Sequence, residues 1–419
     1  MLALSNSAKH YSRGTEISSP PVAEVISALA AALDLAEGRT SGHCLRTCVL
    51  GMELAREIQF PSGLESDLYY ALLLKDAGVG HEPAVVVKSP ENHSAARGER
   101  AALVARKIGL SRICQSAMRA LDERWNGRGF PNGLSGEEIP LISRIARLAH
   151  ALAGVYAESG PAAAVEMATS GRAIAFDPIL VQAMQSLATR GALWSGMSKL
   201  KARVLELEPE LQPLKRNSAT LDAICQAFGE VADAKTPIIY RHSEGVAGVA
   251  VFIARSLGLR ESEITFLQRA ALLHDIGKLA IPSAILDKPG KLGSEEWAVL
   301  KTHAWHTYAI LKQAPGFHEV SEIAGSHHEK LDGSGYFRGL KGEQISLPAR
   351  ILAIADIYDA LRAKRPYRDA IAPELALQIM KQQTPHALDE TCFEALTRSY
   401  DPAASFSAGL AQLSVNVRT

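Results

Sequence analysis

Residues 127–151, GRGFPNGLSGEEIPLISRIARLAHA, align without a gap with residues 333–357, GSGYFRGLKGEQISLPARILAIADI, at an offset of 206. Upstream, Gly42-His43-Cys44 falls against Arg241-His242-Ser243, and Lys75-Asp76-Ala77-Gly78 against His274-Asp275-Ile276-Gly277, both at an offset of 199. One unit has been written twice, and the change of seven in the offset places a loop of different length between the two blocks. Both copies read as helical. In ARILAIADIYDAL the apolar residues Ile351, Leu352, Ile354, Ala355, Ile357 and Tyr358 form a broad helical face, and QRAALLHDIGKL behaves similarly until Gly277 ends its pattern. No stretch alternates with the period of two that a sheet requires. The predicted fold class is therefore all-α, built from two helical units related by internal duplication.

The stretch from Ser195 to Ala219 is charged, contains Pro209 and Pro213, and separates the copies. The predicted domains are residues 1–210 and 211–419. A hydrophobic content of 47% is ample for burying real cores. Lys plus Arg equals Asp plus Glu at 45 each, so the chain as a whole has no electrostatic reason to seek DNA or an anionic membrane. The N-terminal residues lack an apolar signal region, and the Ala/Leu-rich run from Val25 to Ala36 is broken by Asp34. A cytoplasmic location is expected. The five cysteines are scattered and odd in number, which fits reduced thiols, with Cys44 and Cys48 read as helix packing.

Chemistry-bearing side chains concentrate in the second copy: His242 in YRHSEGVA, His274-Asp275 in LLHDIGKL, His303 in KTHAWH, His327-His328-Glu329 in SHHEKLDGSGY, and Asp356 in IADIYDAL. Imidazoles and carboxylates suit hard or borderline divalent metals, and two metals sharing one site need about this many ligands. A carboxylate such as Asp275 can bridge two cations. Zinc-finger and single-zinc protease spacings are missing, since there is neither a paired CxxC nor an HExxH. His306 and His318 read as packed or surface residues. Asp359, nearly one turn after Asp356, is assigned a supporting role, and Glu329 and Asp332 are expected to orient the histidines.

HDIGK (274–278), followed by HHEKLDGSGY (327–336) and ADIYDALRAKRPYR (355–368), resembles the HD-GYP subgroup of the HD-domain metal-dependent phosphohydrolases over roughly residues 220–385. The resemblance implies two HD-type helical domains and a cyclic dinucleotide substrate. It implies the metal ligands His242, His274, Asp275, His303, His327, His328 and Asp356, with Asp275 as the bridge. Some members hold a third metal through a Glu four residues before the first His; here that position is Ile238, so two divalent ions, iron or manganese, are expected. Lys278 resembles a phosphate-contacting lysine, and Arg365 an arginine that grips phosphate with its planar fork. Gly333, Gly335 and Tyr336 belong to the substrate loop for which the subgroup is named, although Phe337 stands where the family has Pro.

The first copy has lost most of this set. Lys75 replaces the motif histidine, Leu121-Asp122 the double histidine, Asn126 the counterpart of Asp332, His150 that of Asp356 and Ser159 that of Arg365. His43 and Asp76 persist, and His93 is a loose match for His303. An ammonium at Lys75 would sit where a cation should bind, so the first domain is expected to be structural or regulatory.

The reaction implied by the resemblance is attack by a metal-bridging hydroxide that opens cyclic di-GMP to linear pGpG, and onward to GMP. Asp275 and Lys278 would carry the catalysis. The alternatives are a 3′,3′-cyclic GMP-AMP phosphodiesterase, a non-catalytic cyclic dinucleotide sensor or scaffold, and an HD phosphohydrolase of mononucleotides. A homodimer and signalling-protein partners are the expected protein contacts, with no DNA and no membrane.

Overall fold

In the computed structural model, which describes residues 20–80, 89–210, 214–236, 241–363 and 369–398, the chain is all-α. The first copy comprises α1 (Val22–Ala36), α2 (His43–Glu57), α3 (Glu65–Leu74), α4 (Pro90–Lys107), α5 (Arg112–Arg119), α6 (Leu141–Ser170), α7 (Pro178–Thr189) and α8 (Leu200–Glu206). The second comprises α9 (Ser218–Ala234), α10 (His242–Ser256), α11 (Glu261–Leu273), α12 (Ser283–Leu286), α13 (Ser294–Lys301), α14 (His303–Leu311), α15 (His318–Gly325), α16 (Leu347–Arg362), α17 (Pro373–Lys381) and α18 (Glu390–Thr397). Isolated bridges aside, no strand forms among the described residues.

The duplication is visible helix by helix. Shifting α2 by 199 residues superposes its first residue, His43, on the first residue of α10, His242, and shifting α5 by 206 superposes it on α15. The change of register falls between the turn at Gly78 or Gly277 and the start of α4 or α13, in the segment that carries α12 in the second copy. Local chemistry sets the helix starts. Ser89, Ser111, Asn217 and Ser346 each accept a backbone N–H of the first turn, satisfying a donor that has no partner inside the helix. Pro90 and Pro348 occupy early positions where a missing N–H costs nothing. The two equivalent helices α2 and α10 are instead entered from left-handed residues, Gly42 at φ 81° and Arg241 at φ 61°. That sharp entry puts a histidine at each helix's first residue.

The stretch between the copies is not an extended linker. Met197–Lys199 forms a 3₁₀ turn, α8 follows, and Val204 and Leu207 are buried. Tyr69 donates its hydroxyl to the Val204 carbonyl at 3.2 Å, tying α8 to α3. Its charged residues cover the outside of an amphipathic turn whose few apolar residues are too sparse to stand out in the sequence. The copies also share a hydrophobic core, with α1 packed against the turn at Ile276–Ala280 and against α14. Cys44, Cys48, Cys114, Cys225 and Cys392 are all free and buried. Among the described residues no helix is long and apolar enough to cross a membrane.

Candidate metal centre

His274 follows the last residue of α11, and the chain turns at once through the 3₁₀ segment Ile276–Ala280. A Cβ at Gly277 would lie 2.0 Å from the His303 carbonyl oxygen, so only glycine lets this turn press against the start of α14. Thr307 closes the junction by accepting the Gly277 N–H at 3.0 Å and donating to the His274 carbonyl at 2.8 Å. On the opposite wall, a Cβ at Gly245 would sit 2.2 Å from an Asp359 oxygen, so α10 and α16 meet closely there. These approaches bring His242, His274, Asp275, His303, His327, His328 and Asp356 to one place.

The donors fall into two sets around one carboxylate. His242, His274 and Asp356 form one cluster and His303, His327 and His328 another, with the donor atoms in each within 4.8 Å of one another. Asp275 lies between them. Its Oδ2 is 3.4 Å from His274 Nε2 and 3.8 Å from His242 Nε2, while its Oδ1 is 3.6 Å from His303 Nε2 and 3.9 Å from His327 Nε2. Donors sharing one first-row ion at about 2.1 Å lie within about 4.2 Å of each other, so small closures would complete either set.

Three of the imidazoles are oriented by the backbone. Nδ1 of His274, His303 and His327 faces the carbonyls of Ala271, Leu300 and Ala324 at 2.6–2.7 Å. Each of these carbonyls lies in the last turn of α11, α13 or α15, where acceptors lack the regular intrahelical donor and can take a side-chain N–H. Donation from Nδ1 leaves the Nε2 lone pair directed into the site. The fourth, His242, uses Nδ1 on Asp359 Oδ2 at 2.6 Å, the supporting place foreseen for Asp359. Glu329 and Asp332, expected to orient histidines, do something else. Glu329 accepts the backbone N–H groups of Arg338 and Leu340 at 3.0 Å each and so holds the loop, and Asp332 accepts the N–H of Ser334.

This arrangement fits divalent metal on three counts. His274 Nε2 and Asp275 Oδ1 are buried without a hydrogen-bond partner, a state that costs free energy unless something else is bound there. His303 Nε2 and His327 Nε2 face each other at 3.2 Å although both rings donate elsewhere, so two lone pairs converge. Finally, burial pushes the His303 and His328 imidazoles down to about 4 and about 3, favouring the neutral form that coordinates metal. Burial acts in the same sense on His242, but the hydrogen bonds this ring donates to the Asp356 and Asp359 carboxylates outweigh it and hold the ring at about 10. Metal binding would therefore expel a proton there. Asp359→Ala frees the His242 ring and is expected to weaken metal affinity about 10–100-fold, measurable by competition with a chelator.

The loop closes the mouth. A Cβ at Gly335 would lie 2.9 Å from the His328 carbonyl oxygen and 2.6 Å from Glu329 Cα, which forces glycine there and lays Tyr336 over His328 with ring centroids 4.4 Å apart. Gly333 adopts φ 82°. Burial, then the Asp356 and Asp275 carboxylates, push the Tyr336 phenol up to about 12, so it remains a donor at neutral pH. Lys278 pairs with Asp275 Oδ2 at the edge of the site. Phe337 turns away from the donors toward Tyr308, with the Arg338 guanidinium over its ring. His306 and His318 stand outside the donor sets. Arg365 and Ile238 lie outside the described residues. Sequence reasoning missed Trp297 and Lys301 of α13, which approach Tyr336 at 6.5 and 5.4 Å. They lie between the motifs and carry no signature of their own.

The first copy brings together His43, Asp76 and His150, but cations already occupy the carboxylate. Lys75 Nζ pairs with Asp76 Oδ2, and Arg97 Nη2 donates to Asp76 Oδ1 at 2.8 Å. His43 Nε2 and His150 Nδ1 are hydrogen-bonded to each other at 2.9 Å. The counterpart of His303 is Arg97, not His93. A Cβ at Gly78 would meet the Arg97 carbonyl oxygen at 2.1 Å, repeating the contact of Gly277 with His303, and 97 plus 206 is 303. Burial first, and the Lys75 ammonium second, push His43 down to about 3 and His150 to about 2. The unfolded chain therefore binds more protons than the native one between these values and 6.5, so this stabilisation is complete above 6.5 and is lost as pH falls below it. Protection factors in α2 and α6, taken relative to the intrinsic exchange rate at each pH, are expected to be lower at pH about 5 than at pH about 7.5; equal protection factors would contradict it.

An HD domain family model matches the chain twice, at residues 28–176 and 226–392. The chain belongs to this family, as a tandem HD-GYP protein whose N-terminal copy is degenerate. It is 36% identical over 434 aligned residues to the 3′3′-cGAMP-specific phosphodiesterase 3 of Vibrio cholerae serotype O1, covering 90% of this chain and 94% of that one. It is 40% identical over 206 residues to the cyclic di-GMP phosphodiesterase response regulator RpfG of Xanthomonas campestris pv. campestris, covering 48% of this chain and 53% of that protein. Among solved structures, a V. cholerae cyclic GMP-AMP-specific phosphodiesterase, V-cGAP3, matches with a TM-score of 0.66 and 35% identity, over 93% of this chain and 98% of that one.

Proposed function

We propose that this chain hydrolyses a 3′,3′-linked cyclic dinucleotide in its second copy and that 3′,3′-cyclic GMP-AMP is the preferred substrate. The observation that carries the reaction class is the Asp275 carboxylate lying between two three-residue donor sets. The order of substrates reverses the sequence reading, which put cyclic di-GMP first. The relative that spans both copies acts on cyclic GMP-AMP, whereas the likeness to the cyclic di-GMP enzyme RpfG covers about half of this chain.

His242, His274 and Asp356 would hold one divalent ion, His303, His327 and His328 the other, and Asp275 would bridge them. Once bound, iron or manganese supplies Lewis acidity toward the phosphoryl group and an activated water at neutral pH. The chain's own residues do the rest. The helix-end carbonyls and Asp359 keep the imidazoles oriented, so the ions would be held without rearrangement during turnover. Lys278 would move from Asp275 to a non-bridging phosphate oxygen, with Arg365 as a second clamp. Tyr336, kept protonated, offers a hydroxyl donor at the mouth, and Trp297 beside it offers a face for a base. Residues 1–210 would form the structural or regulatory domain and 211–419 the catalytic one.

The test is competition. Manganese- or iron-loaded protein receives 3′,3′-cyclic GMP-AMP and cyclic di-GMP at equal concentration, and chromatography resolves the linear products. Faster loss of cyclic GMP-AMP supports the proposal. A preference for cyclic di-GMP overturns the substrate assignment, and no product from either, with metal confirmed, leaves a sensor.

A further inference from the structure

We propose that the first copy is a phosphate-binding site, with Arg147 as its anchor and a nucleoside 5′-phosphate as its ligand. A cavity of about 280 Å³ remains where the second copy has its donor sets, lined by Arg39, Lys75, Arg97, Arg119 and Arg147 against the carboxylates Asp76 and Asp122. By the offsets of the duplication, these five cations align in sequence with Ile238, His274, His303, Gly325 and Ala353 of the second copy. The charge that the second copy would gain from metal ions is built into this copy's side chains.

Several of these cations are already matched. Lys75 and Arg97 share Asp76, Arg97 also pairs with Glu37 at 3.2 Å, and Arg119 pairs with Glu99 at 2.6 Å. Arg39 reaches His150 at 3.4 Å. Arg147 differs. Its Nε is buried with no hydrogen-bond partner, and Asp122, which accepts the Ser94 hydroxyl at 2.9 Å, forms no ion pair with it. A half-buried guanidinium with unused donors is costly unless an anion reaches it, and its planar fork matches phosphate oxygens.

Arg147, Ser94 and Asp122 also line a second cavity of about 610 Å³, which opens beside the first and adds Arg124 and Phe130. Burial, and then repulsion from Arg124, lower the Arg147 pKa against the smaller opposing pull of Asp122 and Glu123, so two guanidinium groups face one space whose carboxylates do not fully offset them. Phe130 is the counterpart of Tyr336 by the offset of 206, and its loop is held in the same way, with Glu123 accepting the N–H groups of Asn132 and Leu134 at 2.7 and 3.1 Å. The site thus has a phosphate anchor, an aromatic face and room in the range that mononucleotides need, about 300–1,000 Å³. It has no oriented, metal-ready donor set, so it would bind without cleaving.

Calorimetric titration of the full-length Asp275→Ala protein with 5′-GMP, inorganic phosphate and guanosine, each separately, tests the proposal. We expect 5′-GMP to bind, guanosine not to bind, and Arg147→Gln to weaken the nucleotide by about tenfold or more. Phosphate as tight as 5′-GMP would keep the site and name the free anion as its ligand. Arg124→Gln, an exposed change, should weaken binding in the same sense and stands in if Arg147→Gln alters the unfolding midpoint. Unchanged 5′-GMP affinity in the arginine variants, or no binding at millimolar 5′-GMP, overturns the proposal. Neither outcome depends on turnover by the second copy.

Discussion

Asp275→Ala is expected to reduce turnover of the cyclic dinucleotide about a thousandfold or more, the scale on which two metal ions lower such a barrier. Both oxygens of this carboxylate are committed. Oδ2 faces His274 and His242, and Oδ1 faces His303 and His327, so no other residue can replace the bridge. Asp275→Asn should fail almost as badly, since it keeps the shape but halves the acceptor capacity and removes the charge that offsets two cations. The measurement is linear product formed per unit time with metal content determined on the same sample. Retained turnover in Asp275→Ala would remove the binuclear account.

The equivalent change in the first copy should act on stability instead. Asp76 is buried between Lys75 and Arg97, and Asp76→Ala would take from Lys75 its directly paired carboxylate at a position only 4% exposed. Breaking a buried pair in this way costs about 3–5 kcal/mol, whereas turnover of the folded fraction should be nearly unchanged. Urea unfolding of the full chain gives the first quantity. Adding Lys75→Met to Asp76→Ala should restore much of the loss, because the orphaned ammonium is gone. An Asp76→Ala protein as stable as the parent, or one as inactive as Asp275→Ala, would contradict the division of labour between the copies.

The helical fold and the duplication were legible because the second copy repeats the first with its glycines in place. Gly78 and Gly277 are required by the same close approach to a neighbouring carbonyl, and Gly129 and Gly335 by the same approach to the residue that holds the loop. The seven candidate ligands were named from their motifs, and their side chains converge on one place. What the sequence concealed was the role of backbone. Nothing in the residue types says that three imidazoles will donate to carbonyls at helix ends, so Glu329 and Asp332 were given work the backbone already performs. The misplacement of His93 has a related cause. Searching for a histidine to match His303 favours residue identity, whereas the fold preserves backbone position, and Arg97 holds it. Arg147 gave no signal because its counterpart, Ala353, is an ordinary core residue.

The second copy is expected to hold two metal ions and the first none. Elemental analysis of the full-length protein, reconstituted with iron or manganese and freed of loose metal, tests it most directly. Two ions per chain are expected, both lost in His274→Ala/Asp275→Ala and both retained in His43→Ala/His150→Ala. Ions that survive the first double substitution, or disappear with the second, would contradict it.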